Sequence, residues 1–142
     1  MFFMNPVSTD GNEAPAAISL FDLIGGVARV RELADRFYDL MDLEPDFSAL
    51  RALHPPSLDG SRDKLAWFLT GWSGGPDLYV ERFGHPRLRA RHLPYSIGLS
   101  VRDQWLHCMA FAMQDIGLDE ALRDRLLNSF YQTADWMRNR DG

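Results

Sequence analysis

Apolar residues return at helical intervals along most of the chain, and the two-residue alternation of a half-buried strand is sustained nowhere. Val27, Val30, Leu33, Ala34, Phe37, Leu40 and Met41 recur every third or fourth position after the Gly25-Gly26 break, so they form one stripe of a helix, with Arg29 on its outward face. Ser19 can cap a shorter helix ahead of it. Residues 46–53 are expected to make one or two helical turns closed by Pro55-Pro56, because proline disfavours a helical conformation in the residue before it. His54 therefore stands at a corner. The next helix starts near Asp59 or Ser61, either able to cap it, and turns Leu65, Phe68, Leu69 and Trp72 inward before Gly74-Gly75-Pro76.

The stretch 79–93 is less regular. Pro86 suits the first turn of a short helix and Pro94 suits a stop, which predicts about two helical turns over 86–92. Val101, Trp105, Met109, Ala112 and Ile116 then form a strongly apolar stripe ended by Gly117. Leu118, Leu122, Leu126, Phe130 and Met137 mark a last long helix with Asp119 as its candidate cap. With no internal repeat, the economical reading is one all-α domain of crossed helices, residues 19–142, behind a flexible N-terminal tail at 1–18. That tail has a short apolar start but neither the basic flank nor the long apolar run of a secretory signal.

Composition narrows the setting. The chain has 142 residues, enough for a single core, with 46% hydrophobic and 25% charged residues and no run long enough to span a bilayer. A formal charge of −5 argues against general nucleic-acid binding, which needs a basic surplus. Cys108 is the single cysteine, which excludes an internal disulfide and a multi-thiolate zinc site. A soluble cytoplasmic protein, monomeric or a small homo-oligomer without nucleic-acid or membrane partners, is expected.

Four histidines are available to a metal. His107 lies two positions after Trp105, about 200° around the helix, so with Trp105 inward it faces water. His85 precedes a proline at a helix entry and reads as exposed. His92 ends the same short helix, before Leu93, and can point inward. Pattern alone leaves it open between a hydrogen-bonded core residue and a ligand. HExxH, paired Glu-x-x-His, GxGxxG, GxxxxGK[ST] and GxSxG are all absent from the sequence, so the usual signals for zinc, di-iron, dinucleotide, P-loop and nucleophile-elbow chemistry are missing.

The run GWSGGPDLYVERFGHPRLRARHLPYSIGLSVRDQWLHCM resembles the central signature of the group II truncated haemoglobins, small globins with a two-over-two helical sandwich around haem. The resemblance extends upstream through LIGGVARVRELADRFYDLM and downstream through the last helix, covering most of the chain after residue 18. It implies haem b as cofactor and makes His92, the histidine of RARHLP, the proximal iron ligand, with its other ring nitrogen fixed by a hydrogen bond. The family's distal tyrosine falls on Tyr38, its pocket tryptophan on Trp105, and its variable aromatic-or-histidine corner position on His54. Ser61 and Leu65 fall on the ligand side of the distal helix, where the small Ser61 leaves the usual globin distal histidine missing.

Phe37, Leu65 and Phe68 would pack on the haem, a wall that pattern alone reads equally well as core. Arg87, Arg89 and Arg91 alternate, which by pattern is a solvated patch. The resemblance offers Arg91, with Lys64 and Tyr79, the two haem propionates as partners.

The function so implied is reversible binding of oxygen, carbon monoxide and nitric oxide, with Tyr38, Trp105 and His54 as donors that slow release. Slow release favours chemistry on the gas, such as conversion of nitric oxide to nitrate or reduction of peroxide, over bulk oxygen transport. An unidentified reductase would then be a partner, and no residue is assigned a catalytic role. Two other readings stay open: a cofactor-free helical interaction module in which His92 is structural, and a haem-based sensor.

Overall fold

The computed structural model describes residues 18–139, so the tail expected over 1–18 lies, apart from Ile18, outside the described residues, as do residues 140–142. The chain forms α1 (Leu20–Ile24), α2 (Val27–Leu43), a 3₁₀ turn (Pro45–Phe47), α3 (Ser48–Ala52), α4 (Asp59–Trp72), α5 (Leu78–Phe83), α6 (Leu88–His92), α7 (Leu99–Asp115) and α8 (Glu120–Trp136). There is no strand among the described residues. Helix α2 packs on α4 and on α7, and α7 packs on α8, giving the crossed helix pairs of a two-over-two sandwich. Leu33, Phe37 and Met41 of α2, Cys108, Met109 and Met113 of α7, and Leu126 and Phe130 of α8 fill the space between them.

The corners follow from local chemistry. Gly25 and Gly26 take φ of 119° and 88°, a pair of left-handed steps that turns α1 into α2 without a linker. Gly117, at φ 82°, ends α7 and lets the Leu118 N–H donate back to the Met113 carbonyl at 3.1 Å. Ser19 caps α1 by accepting from the Asp22 N–H at 3.1 Å, and Asp119 caps α8 by accepting from the Ala121 N–H at 3.1 Å, both as the sequence suggests.

Several details differ from the sequence reading. Val27 is exposed, because it opens α2 before the buried stripe begins at Val30. Arg29 folds onto the end of α7 and donates to the Ile116 carbonyl at 2.7 Å, occupying an acceptor that the helix end leaves over. Neither Asp59 nor Ser61 caps α4: the hydroxyl of Ser57 accepts from the Asp59 N–H at 3.2 Å, and Asp59 lies in the first turn, where its charge favours the helix dipole. Helix α5 forms in the stretch that looked irregular, and α6 begins at Leu88 because Arg87 takes a left-handed conformation (φ 47°, ψ 54°). Met137 follows α8 instead of closing its stripe.

Ion pairs zip α2 to α4: Arg31 meets Asp63 at 2.7 Å and Arg62 meets Asp39 at 2.7 Å. These pairs are partly solvated, so they fix the crossing more than they stabilise it. No helix among the described residues is long and apolar enough to cross a membrane.

Candidate functional site

An aromatic chain runs through the sandwich and includes the polar-tipped rings of Tyr38 and Trp105. Tyr38, buried on α2, stands edge-on to Phe37 (centroids 5.0 Å apart, planes at 85°). Phe37 meets Trp105 of α7 at 5.3 Å, and Trp105 stands edge-on to Phe130 of α8 at 5.4 Å. Phe130 in turn stacks on Trp72 of α4 at 4.7 Å. Phe37 is thus fully buried between the rings of Tyr38 and Trp105 and braces both.

Neither the Tyr38 hydroxyl nor the Trp105 indole N–H finds an acceptor among the described residues, and neither tip is sealed from solvent. Burial raises the Tyr38 phenol far above its ordinary value, with Cys108 adding and Arg62 opposing, so it remains a protonated donor. The Cys108 thiol beside it, donating to the Phe37 carbonyl at 3.2 Å, is pushed up to about 12 by burial and is chemically quiet.

His54 faces the Tyr38 ring at 5.6 Å. Its corner is built by two residues that the sequence did not single out. Arg51 donates to the carbonyls of Pro55 and Pro56 at 2.9 and 2.8 Å and pairs with Asp42 at 2.9 Å. Gln104, next to Trp105, accepts from the Leu50 N–H at 3.0 Å and ties α3 to α7. The Nδ1 of His54 lies 3.0 Å from the Leu50 carbonyl, which can only accept, so Nδ1 carries the proton and Nε2 presents a lone pair. Burial holds this imidazole below its usual pKa; the Leu50 carbonyl works against that, while the positive charge of Arg51 reinforces it. At neutral pH the free nitrogen of His54 is therefore an acceptor, not the third donor expected from the sequence.

His92 repeats the device on α6. Its Nδ1 lies 2.6 Å from the Leu88 carbonyl, so Nδ1–H donates and Nε2 is left with an available lone pair. His85 is exposed, and its Nδ1 accepts the N–H of the left-handed Arg87 at 3.1 Å, which commits it to the turn. His107 points outward from α7, as helical geometry requires.

The remaining candidates gather along one edge. Tyr79 packs against Phe83 at 4.8 Å and edge-on to Phe68 at 6.3 Å. Lys64 of α4 lies over Phe83 (5.6 Å) and Arg91 of α6 over Tyr79 (5.9 Å), so two cations from different helices share one aromatic ledge. Ser61 and Leu65, one turn apart on α4, are half-buried, and Leu65 packs on the core. An open groove lined by Arg31, Asp35, Arg36 and Asp115 lies on the solvent face of α2 and takes in none of these residues.

Residues 19–139 match the bacterial-like globin family. The chain is 40% identical over 114 residues to the group 2 truncated hemoglobin YjbI of Bacillus subtilis (strain 168), covering 80% of this chain and 84% of that protein. Among solved structures it is similar to the group II 2-on-2 hemoglobin of Agrobacterium tumefaciens (41% identity, TM-score 0.85, 91% of this chain and 100% of that one). It is also similar to the truncated oxygen-avid haemoglobin of Bacillus subtilis (38% identity, TM-score 0.79, 86% of this chain and 100% of that one).

Proposed function

Because the chain belongs to the bacterial-like globin family, and within it to the group II truncated haemoglobins, we propose that it binds haem b through His92 and takes up oxygen, carbon monoxide and nitric oxide reversibly. The observation that carries this reading is the orientation of His92: with Nδ1–H spent on the Leu88 carbonyl, its Nε2 lone pair is offered as a ligand in the correct tautomer. The surroundings fit the group. Leu65 and Phe68 supply half-buried apolar wall, while Phe83, Leu93 and Leu99 leave apolar surface exposed around the segment that bears His92. Lys64 and Arg91 give the propionates two cations at one edge.

Haem, when bound, supplies the coordination position at which a diatomic gas is taken up. What this chain adds is a pair of unspent donors. The Tyr38 hydroxyl and the Trp105 indole N–H can donate to oxygen as it gains negative charge, while the braced position of both rings keeps them from turning away. The oxygen-avid description of the Bacillus subtilis relative supports the same reading. Oxygen held this long can meet nitric oxide before it leaves, so the turnover that suits the pocket is NO + O₂ + e⁻ → NO₃⁻, the electron coming from a separate reductase.

The test is spectroscopic. Purified protein supplied with hemin and reduced should develop an intense Soret band that shifts on adding carbon monoxide. A chain that stays colourless under these conditions would return the interaction-module reading, with His92 as a structural residue.

The propionate assignment gives a smaller effect. Arg91→Ala and Lys64→Ala should each hasten hemin transfer to an acceptor apoprotein about 1.5- to 5-fold, the range of partly exposed ion pairs, and added salt should narrow the gap. Arg125→Ala, on the exposed side of α8, serves as the control. Equal rates in all three variants would leave the ledge a solvated surface.

A further inference from the structure

Helix α6 cannot hold itself in place. It has five residues, too few for independent helical stability, none of them is buried, and it starts from the left-handed Arg87. Something else must fix the residue at its end, His92. The structure supplies it from the far end of the chain. After α8 the backbone reaches Ile97, past the end of α6, and two side chains join the segments.

Arg89 donates through Nη1 to the carbonyls of Trp136 and Arg138 and lies over the Trp136 ring at 5.4 Å. The Trp136 carbonyl is one that the end of α8 leaves without an intrahelical partner, at the negative end of its dipole, so a guanidinium is well matched to it; the Arg138 carbonyl follows just past the helix. Asn139 completes the join. Its backbone N–H donates to the Ile97 carbonyl and its Oδ1 accepts from the Ile97 N–H (2.8 and 2.9 Å). Its Nδ2 donates to the carbonyl of Tyr95 at 2.8 Å and to that of His92 itself at 3.4 Å. His92 is thereby gripped twice: its ring by the Leu88 carbonyl, its backbone by the C-terminal segment.

We infer that the segment 137–139, through Asn139 and its partner Arg89, is a strap that positions His92 on the iron and so sets the strength of the proximal bond and the retention of haem. The inference rests on His92 being the ligand. Asn139 touches no reacting atom and would act on the iron through His92, as a positioning residue. Its amide has two roles that substitution can separate: Asn139→Asp keeps the acceptor for Ile97 but removes both donors to the His92 and Tyr95 carbonyls.

The experiment uses the haem-loaded full chain in the ferrous, ligand-free form and reads the iron–histidine stretching band by resonance Raman spectroscopy. The wild-type band should be present and should vanish in His92→Gly. In Asn139→Ala and Asn139→Asp it should broaden and move to lower frequency, because a looser ring tilts from its best overlap; Arg89→Ala should move it the same way. Asn128→Ala, exposed on α8, should leave it unmoved. Hemin transfer to excess apomyoglobin should accelerate about tenfold in Asn139→Ala, the equivalent of one or two net hydrogen bonds. If His92→Gly abolishes the band while the Asn139 variants keep the wild-type band and transfer rate, the strap is overturned and the ligand assignment stands. If the band survives His92→Gly, both fall.

Discussion

Replacing His92 with glycine should abolish the iron–histidine band and hasten hemin loss by at least about 100-fold, since removing even a supporting partner of a metal ligand costs 10- to 100-fold and here the ligand itself goes. Added imidazole should restore much of the spectrum, because the glycine leaves room for a free ring at the end of α6. The other histidines provide the contrast. His107→Ala, outward on α7, should bind haem as wild type does. His85→Ala removes the acceptor that holds the Arg87 N–H, so it should loosen the turn before α6 by about one hydrogen bond while the band persists. Loss of the band in His85→Ala with retention in His92→Ala would exchange the two histidines of GHPRLRARH and overturn the proposed ligand.

The helices that carry the site were legible because each buries a continuous stripe. Phe37 on α2 and Trp105 on α7 sit in such stripes, and spacing alone turns both toward the core; Tyr38, outside the α2 stripe, was reached only through the resemblance. What the stripes could not reveal lies between them. Helix α5 has no buried residue, so no periodicity marks it, yet it brings Tyr79 and Phe83 to Lys64 and Arg91. The start of α6 was misplaced because Pro86 signals a helix entry, whereas Arg87 takes a left-handed turn that nothing in its side chain announces. Arg51 and Gln104 were missed as builders of the His54 corner, although one signal was present: the two prolines end a helix and offer carbonyls but no N–H groups, and a nearby arginine is the natural donor. For His92, spacing allowed an inward direction and no more; the resemblance supplied the role, and the hydrogen bond to Leu88 now supplies the chemistry for it.

Tyr38→Phe and Trp105→Phe should each raise the oxygen off-rate roughly 10- to 150-fold, the cost of one hydrogen bond to a charge-bearing acceptor. The first removes a hydroxyl and nothing else. The second also removes volume, and Phe37 and Phe130, which flank Trp105 at 5.3 and 5.4 Å, should keep the smaller ring in place. Carbon monoxide gains little charge when taken up, so its off-rate should change far less. Equal acceleration of both gases would mean a widened exit path, and no change for oxygen in either variant would remove the donors from the mechanism.

His54 separates the two kinds of polar neighbour. Its Nδ1–H is committed to Leu50 and its other nitrogen can only accept, so His54→Phe should alter the neutral-pH off-rate by no more than about twofold. Because burial lowers its pKa from the ordinary 6.5, protonation comes only in more acid solution, where Nε2 gains a proton and becomes a donor. The wild-type off-rate should therefore fall as pH drops below that value, and the fall should be missing in His54→Phe. A large effect of His54→Phe at neutral pH would instead show that the ring donates as it stands, and would require the Nδ1 hydrogen bond to Leu50 to be broken in the haem-bound protein.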